Sequence, residues 1–418
     1  MIGYTDRTAG AVEHCEAMAN ATSGPVAEAY GKLVEFCQNK LWHQLTLLVV
    51  QMLEAPETYA TTFEGTHSFL ALYDKVVLCV DTKLNPLSLA KIAALVAQAV
   101  QAQDVTAAKA ILENLLVKNK ELKEKGEGES DSAFFVPATI FVQSKLASLV
   151  ITTSPEGTDL SSVVATMKAN KGLLYEFPAE GNSELASVHA AHYESAMQYS
   201  KRVGPPEAFY EHAMSYLQHK PNFGKEGDKT QALELASDLI IAALTGDGVY
   251  NLGQVEQTPV LKLLLDTPQA WLVHLLQATA AGDVSRFRQY EQEYAAQIAA
   301  QPALVHRANA VTEKLTLLAL VTLIFSKPSH ERHLSFEEIA SALVLTDIDQ
   351  VEWIVMRALS VHLIEGSIDQ VEQVVHVTWV MPRVLSSEQL GQLATRFGEW
   401  ASKVGTTQDS MALSPALA

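Results

Sequence analysis

Apolar residues recur at helical spacing over most of the chain, and this periodicity limits the possible folds more than any other feature. From Tyr30 to Ala300 they return mostly every three or four residues, as in Leu84–Val100. This spacing places them on one face of a helix. Helix breakers separate the periodic segments at Asn85-Pro86, Gly204-Pro205-Pro206 and Thr267-Pro268. The sequence therefore predicts a series of helical hairpins.

The hairpins have no strict repeat in their letters, but Glu207–Leu217 and Ala270–Ala281 have the length and small-residue content of stacked helix pairs. Each pair in such an array buries its apolar face only against its neighbours, which leaves an extended surface suited to binding proteins. We predict a degenerate helical-repeat domain over residues 24–310, after a flexible N-terminus over residues 1–23. The polar stretches 118–132 and 219–229 are predicted to be solvated helix ends or loops.

The pattern changes after Val311. An apolar helix, Lys314–Phe325, is followed by a capping box at Ser335–Glu338, where a serine and a glutamate three residues apart open a short helix. A third helix begins near Thr346. Two alternating stretches then predict a β-hairpin, Leu363–Ile368 and Val374–Val380. Three helices and a hairpin are typical of a winged helix, which we place at residues 311–385.

Two surfaces of this C-terminal part are candidate partner interfaces. The second hairpin strand is predicted to be an edge strand that a neighbour's strand could extend, through Val375, Val377 and Trp379. A final helix over residues 386–404 carries its apolar residues on one face: Leu390, Leu393, Phe397 and Trp400. An isolated helix of about fifteen residues is marginal in water, so we expect a partner to cover this face. A disordered tail is predicted over residues 405–418.

Charge argues against the DNA binding that is common among winged helices. The chain has a formal net charge of −18, and residues 311–385 contain ten acids and five bases. The third helix, which would enter the DNA groove, carries Asp347, Asp349 and Glu352 against Arg357 alone. Because nucleic-acid binding needs a concentrated cationic surface, a nucleic-acid partner is disfavoured.

The sequence offers weak candidates for chemistry. His189 and His192 share a helical face without a third ligand at a telling spacing, so we interpret them as partly exposed surface histidines. The glycine-rich Gly246–Gly253 lacks the lysine and hydroxyl residue of a phosphate-binding loop and is interpreted as a tight turn between helices. The histidine-containing segment 329–333 is predicted to be a solvated loop. We predict no catalytic residue, no cofactor and no metal.

Cysteine usage and hydropathy bear on location. Cys15, Cys37 and Cys79 match neither a zinc nor a redox spacing, and reduced thiols fit the cytoplasm or nucleus. The N-terminus shows no secretory signal pattern. The longest apolar run, Leu315–Phe325, is shorter than the roughly 20 residues that cross a bilayer, so no membrane role is expected.

Several segments resemble the PCI family, the scaffold module of the proteasome lid, the signalosome and the eukaryotic translation-initiation complex. The resemblance runs from about Gly24 to Val404. Within the family, the sequence is most similar to the members of the proteasome lid. The segments that carry it are Leu41–Leu47, Leu84–Leu89, Gly246–Gly253, His333–Ala340, Val355–Val371 and Val377–Leu385.

The resemblance implies a mostly α fold, with a right-handed, TPR-like stack of helical hairpins, a winged-helix PCI module and a C-terminal helix. It also implies a non-catalytic scaffold in a hetero-oligomer with other lid PCI subunits. The deubiquitinating metalloprotease heterodimer and a ubiquitin receptor are further implied partners, with the last helix joining a shared bundle. Two alternatives stay open: a PCI subunit of one of the related complexes, and a nucleic-acid-binding winged helix.

Overall fold

The computed structural model describes most of the chain, and every structural statement below refers to that part. The described residues are 6–22, 24–59, 62–63, 66–125, 129–155, 157–179, 181–220, 223, 229–327, 332–345, 347–382, 384 and 387–413. The chain divides into two compact units, one of residues 1–204 and 211–221, the other of residues 205–210 and 222–418.

The first unit is built from helices in sequence order. They are α1 (Asp6–Ala21), α2 (Pro25–Gln38), α3 (Trp42–Glu54), α4 (Pro56–Tyr59), α5 (Ser68–Leu72), α6 (Pro86–Gln101), α7 (Val105–Lys125), α8 (Glu129–Thr153), α9 (Ser161–Leu174) and α10 (Ser183–Arg202). Two short strands, β1 (Thr62–Phe63) and β2 (Thr66–His67), a π-helical turn (Tyr73–Val77) and a 3-10 turn (Asp81–Lys83) lie between them. Helix α11 (Pro206–His219) begins in the second unit and continues into the first.

Consecutive helices of the first unit pack on one another as the periodicity predicts. Helix α6 packs on α7 and α8, and α8 packs on α10. The breaker before α6 acts as foreseen, because the Asn85 side chain accepts a hydrogen bond from the Leu87 amide at 2.9 Å and Pro86 occupies the first helical position. Leu87, Ile92 and Val96 of the predicted stripe are buried.

The second unit contains shorter helices and a small sheet. They are α12 (Lys229–Thr245), α13 (Leu252–Glu256), α14 (Pro259–Leu264), α15 (Ala270–Ala281), α16 (Val284–Glu293), α17 (Ala295–Ala299), α18 (Pro302–His306), α19 (Ala308–Ser326), β3 (His333–Ser335), α20 (Phe336–Leu343), α21 (Asp349–Ser360), β4 (Ile364–Asp369), β5 (Val374–Val380) and α22 (Ser387–Leu413). Helix α19 packs on α15 and α20. The Ser335 side chain accepts from the Glu338 amide at 3.2 Å, which confirms the predicted cap.

The sheet corrects one prediction. Its strand order is β3-β5-β4, with both pairings antiparallel, so β5 is the central strand. Strand β3 pairs Leu334 with Val375, and the Val377 amide donates to the Arg332 carbonyl oxygen at 3.0 Å. The prediction that Val375 and Val377 lie on an open edge is therefore wrong, because a three-residue strand unforeseen in the sequence already covers them.

The ends of the elements differ from the predicted segments. Helix α1 lies within the N-terminus predicted as flexible and buries Ala11, Cys15 and Met18. The predicted domain start at Val311 lies inside α19, and α22 continues to Leu413, into the predicted disordered tail. In 118–132, residues 118–125 are the end of α7 and 129–132 the start of α8, which agrees with the prediction of helix ends. Thr346, Ser386, residues 329–331 and most of 219–229 lie outside the described residues.

Within the described residues, two helices are long and apolar enough to cross a membrane by length and composition, Phe135–Thr153 within α8 and Ala308–Ser326. Core helices of soluble proteins pass the same test. Both pack laterally on neighbouring helices, α8 on α6, α7 and α10, and α19 on α15 and α20. Their apolar surfaces therefore have partners inside their own units. The predicted fold class, a mostly α chain with a winged helix near its end, is confirmed.

Candidate partner-binding surfaces

The long C-terminal helix α22 exposes its apolar residues. Phe397 and Trp400 are 60% and 65% exposed, and Leu393 and Val404 are exposed as well. Large aromatic side chains normally contribute to a core because each can bury roughly 150–250 Å². Leu390 lies in the same helix, and its side chain is outside the described part of the chain. Three of the four predicted bundle residues are thus exposed on the helix surface.

The spacing of these residues indicates what kind of surface could cover them. Leu390, Leu393, Phe397, Trp400 and Val404 follow one another at steps of three, four, three and four. These are the a and d positions of a heptad repeat, which form the narrow seam of one helix packed along another. We call Leu393, Phe397, Trp400 and Val404 the α22 seam. Its geometry favours another helix as the covering element.

The predicted sheet interface is reduced to one residue. Val375 and Val377 are buried in the winged-helix core, whereas Trp379 is exposed. Trp379 pairs with Glu365 of β4, beyond the residues of β5 that pair with β3. Strand β5 could therefore pair with a strand of a partner only near its C-terminal end, on the side that β3 does not cover. The structure brings no part of the α22 seam into the sheet pairing.

The glycine-rich turn after α12 is held by a buried lysine that the sequence analysis did not single out. Lys314 of α19 is buried, and its Nζ donates to the carbonyl oxygens of Ala243 at 2.8 Å and Gly246 at 2.5 Å. The last carbonyls of a helix lack intrahelical donors, and a cation there also complements the helix dipole. Arg307 Nη1 donates to the Thr245 carbonyl at 3.0 Å. Two cations thus cap α12.

The electrostatics around Lys314 follow from this burial. Burial lowers the pKa of the Lys314 ammonium to about 8, and the carboxylates of Asp247 and Glu207 oppose that shift. A side chain at Gly246 would meet the Ala242 carbonyl oxygen at 2.7 Å and Glu207 Cα at 3.2 Å, so the turn requires glycine there. Carbonyl oxygens face the cation, whereas a phosphate site needs backbone amides. The turn connects α12 to α13, which agrees with its interpretation as a turn between helices.

The two histidines considered for metal binding are placed differently from their prediction. His189 and His192 are buried, His192 to 3% exposure, so the expectation of partly exposed surface histidines is wrong. His189 Nε2 donates to the Phe177 carbonyl oxygen at 2.8 Å and its ring stacks on His219. Burial lowers the pKa of His192 to about 4, with His212 adding to the effect. The described residues contain no group of three or more metal-ligating side chains.

Sequence reasoning missed Lys314 although a signal existed. A lysine stands directly before the apolar run Leu315–Phe325, where a helix buried on most sides leaves it little access to water. Buried lysines need acceptors, and the carbonyl ends of a preceding helix are the nearest abundant supply. The His189 and His192 positions gave a comparable signal, since they flank Ala190-Ala191, small residues that suit close helix packing.

Comparison with family models agrees with this architecture. A model of the PCI domain matches residues 291–379, which include most of the winged helix. A second model, described as PSD13 N-terminal repeats, matches residues 29–276, more than half of the chain. A helical array followed by a winged helix thus defines this chain as a PCI-domain protein.

Individual similar proteins indicate which family of PCI-domain proteins the chain belongs to. The chain is 32% identical to 26S proteasome non-ATPase regulatory subunit 13 homolog B of Arabidopsis thaliana, over 95% of this chain and 96% of the relative. It is 30% identical to the Dictyostelium discoideum subunit 13, over 88% and 89%. The Saccharomyces cerevisiae 26S proteasome regulatory subunit RPN9 is 29% identical, over 92% of each chain. The chain belongs to the family of 26S proteasome non-ATPase regulatory subunit 13.

Proposed function

We propose that the chain is a non-catalytic scaffold subunit of the lid of the 26S proteasome regulatory particle, and thereby supports ubiquitin-dependent protein degradation. The observation that carries this proposal is the exposed α22 seam on a chain of this family. A heptad seam of about two turns or more leaves apolar surface in water unless another helix covers it. A subunit that assembles through helices explains why the seam exists.

The proposed partners follow the same surfaces. The α22 seam joins a helical bundle with other lid PCI subunits and the deubiquitinating metalloprotease heterodimer, and Trp379 lies at a contact with a neighbouring subunit. Retention of a ubiquitin receptor is a further proposed role. The acidic charge of the chain supports protein partners over nucleic acid. We also propose a cytoplasmic and nuclear location, and a helical-repeat domain followed by a winged-helix part whose first helix is α19.

A scaffold role accounts for the polar side chains described above. Lys314 and Arg307 bind helix-end carbonyls, and His189 bonds a backbone carbonyl, so each has a structural partner. Groups that act in catalysis instead need to reach a substrate in a cleft. We therefore assign these residues to stability and propose no reaction.

Deletion of residues 387–418 tests the proposal. A tagged full-length chain and the deletion variant are expressed in cells, and the purified material is analysed by native mass spectrometry. We expect the full-length chain to copurify with lid subunits and the deletion variant to be recovered without them. The deletion variant should keep its melting temperature, because the α22 seam is not part of the unit's core.

Three results contradict the proposal. Incorporation of the deletion variant at the full-length level removes the role of α22. Copurification with subunits of another PCI-containing complex favours the rival scaffold function, and salt-sensitive binding of DNA or RNA by the full chain revives the nucleic-acid function.

A further inference from the structure

The outer side of α21 carries large apolar side chains that the winged-helix core does not use. Trp353 and Met356 are 58% and 54% exposed. They are three residues apart, which makes them neighbours on the helix surface. Val351, Val355 and Ala358 of the same helix are buried. Helix α21 is therefore apolar on two sides, and only one of them faces the core.

The turn between β4 and β5 extends this outer surface. Gln370 Nε2 donates to Glu352 Oε2 at 3.0 Å, which holds the turn beside α21. The next residue, Val371, is almost fully exposed. We call Trp353, Met356 and Val371 the α21 patch. It combines a helix face with a turn that the Gln370–Glu352 hydrogen bond holds to the same helix.

Carboxylates are close in sequence to the α21 patch, and two of them share its helix: Asp349 is four residues before Trp353, and Glu352 is four residues before Met356. Residues 344–373 contain six acids and one base. The base, Arg357, donates through Nε to Glu313 Oε1 at 2.7 Å, so its charge is already matched. Some acids also have local roles, as Asp347 accepts from the Asp349 amide at 3.2 Å at the start of α21. These roles explain their positions, but the summed negative charge remains around the patch.

We propose that the α21 patch docks an amphipathic helix of a protein partner whose apolar face is flanked by lysine or arginine. A desolvated aromatic anchor supplies most of the affinity in such contacts, and a rim of opposite charge selects the partner. Two other occupants fit less well. Phosphates of a nucleic acid would face carboxylates, and a symmetric contact with a second copy would bring two acidic rims together.

This surface is separate from the α22 seam and goes beyond the scaffold role proposed above. Its test uses the full chain and two labelled synthetic helical peptides with the same leucine face, one flanked by lysines and the other by glutamates. Fluorescence anisotropy reports binding. We expect saturable binding of the lysine peptide only, and a loss of at least about tenfold in affinity when Trp353→Gln and Met356→Gln are combined.

Matched variants identify the surface. Leu47→Gln removes an equally exposed apolar side chain from α3, outside both proposed surfaces. This variant should bind the lysine peptide like the parent chain. Asp349→Lys combined with Glu372→Lys should shift the preference towards the glutamate peptide. Circular dichroism of each variant verifies the fold.

Several outcomes overturn the proposal. These are no saturable binding of the lysine peptide, equal binding of both peptides, or binding that depends on Phe397 rather than Trp353. Analytical ultracentrifugation of the chain alone should show a monomer at the protein concentrations used in the binding experiment. A dimer that Met356→Gln dissociates assigns the patch to a second copy, and salt-sensitive binding of duplex DNA lost in the same variant assigns it to nucleic acid.

Discussion

Helices α19 and α22 are both long helices of the second unit, but they distribute their apolar residues in opposite ways. Helix α19 is apolar on most sides and buries Leu317, Leu320 and Ile324. Helix α22 confines its apolar residues to the α22 seam and leaves Phe397 and Trp400 exposed. A helix that is apolar all round belongs in a core, whereas a heptad seam needs a second helix. The core of the unit is built without the seam.

Truncation in α19 should have the largest effect. Leu320 is fully buried, and Leu320→Ala should lower the free energy of unfolding by about 2–5 kcal/mol, because the lost side chain leaves a cavity. Leu393→Ala on α22 should change it by less than about 0.5 kcal/mol. Urea titration followed by circular dichroism measures both. Equal losses would show that α22 is packed like α19.

Acidification is expected to destabilise the chain through a histidine that is buried in α10. The pKa of His192 on α10 is lowered by burial from 6.5 to about 4. Between these values the unfolded chain binds a proton and the folded chain does not, so stability falls as pH falls, by about 1.4 kcal/mol per unit. We expect the free energy of unfolding to fall by about 1.5 kcal/mol between pH 6.5 and 5.

The matched variant for this effect is His192→Phe, which keeps a ring and removes the titration. Burial also lowers the pKa of His189 and His212, so the variant should keep a shallower pH dependence. Thermal unfolding at several pH values compares the two proteins. An unchanged slope in the variant would remove His192 from the explanation.

A smaller effect is expected at the lysine of α19. Lys314→Met removes the donor of the Ala243 and Gly246 carbonyls, but it also removes the burial of a charge. The loss of the hydrogen bonds and the removal of the buried charge partly offset each other. We expect the free energy of unfolding to fall by about 1 kcal/mol. Lys403→Met on exposed α22 should have no measurable effect, and urea midpoints of the two variants decide the comparison.

The sequence predicted those elements whose formation depends on residues that are close together in the chain. The cap at Ser335, the start of α6 at Pro86 and the β4-β5 hairpin need only neighbouring residues, and they form as predicted. Strand β3 was not foreseen, because three residues carry no readable alternation and the strand depends on β5. The same strand turns the predicted edge at Val375 into a central position.

Burial was harder to predict where small residues carry it. Helix α1 packs through Ala11, Cys15 and Met18, a helical spacing without the bulky residues that make a stripe obvious. His192 is buried among groups distant in sequence, which periodicity alone does not reveal. The exposed apolar residues of α21 were difficult to predict because they are large and resemble core residues. Trp353 stands beside core residues in sequence, and only the helix geometry separates the two faces.

Exposure of the α22 seam underlies the proposed function, and a double substitution within the seam is its sharpest test. Phe397→Gln with Trp400→Gln should leave the free energy of unfolding of the isolated chain within about 0.5 kcal/mol of the parent, since both side chains are exposed. The measurement is the fraction of the tagged chain recovered in proteasome particles from cells. We predict that this fraction collapses for the double variant while Leu47→Gln remains at the parent level. Full incorporation of the double variant would contradict a role of the α22 seam in assembly.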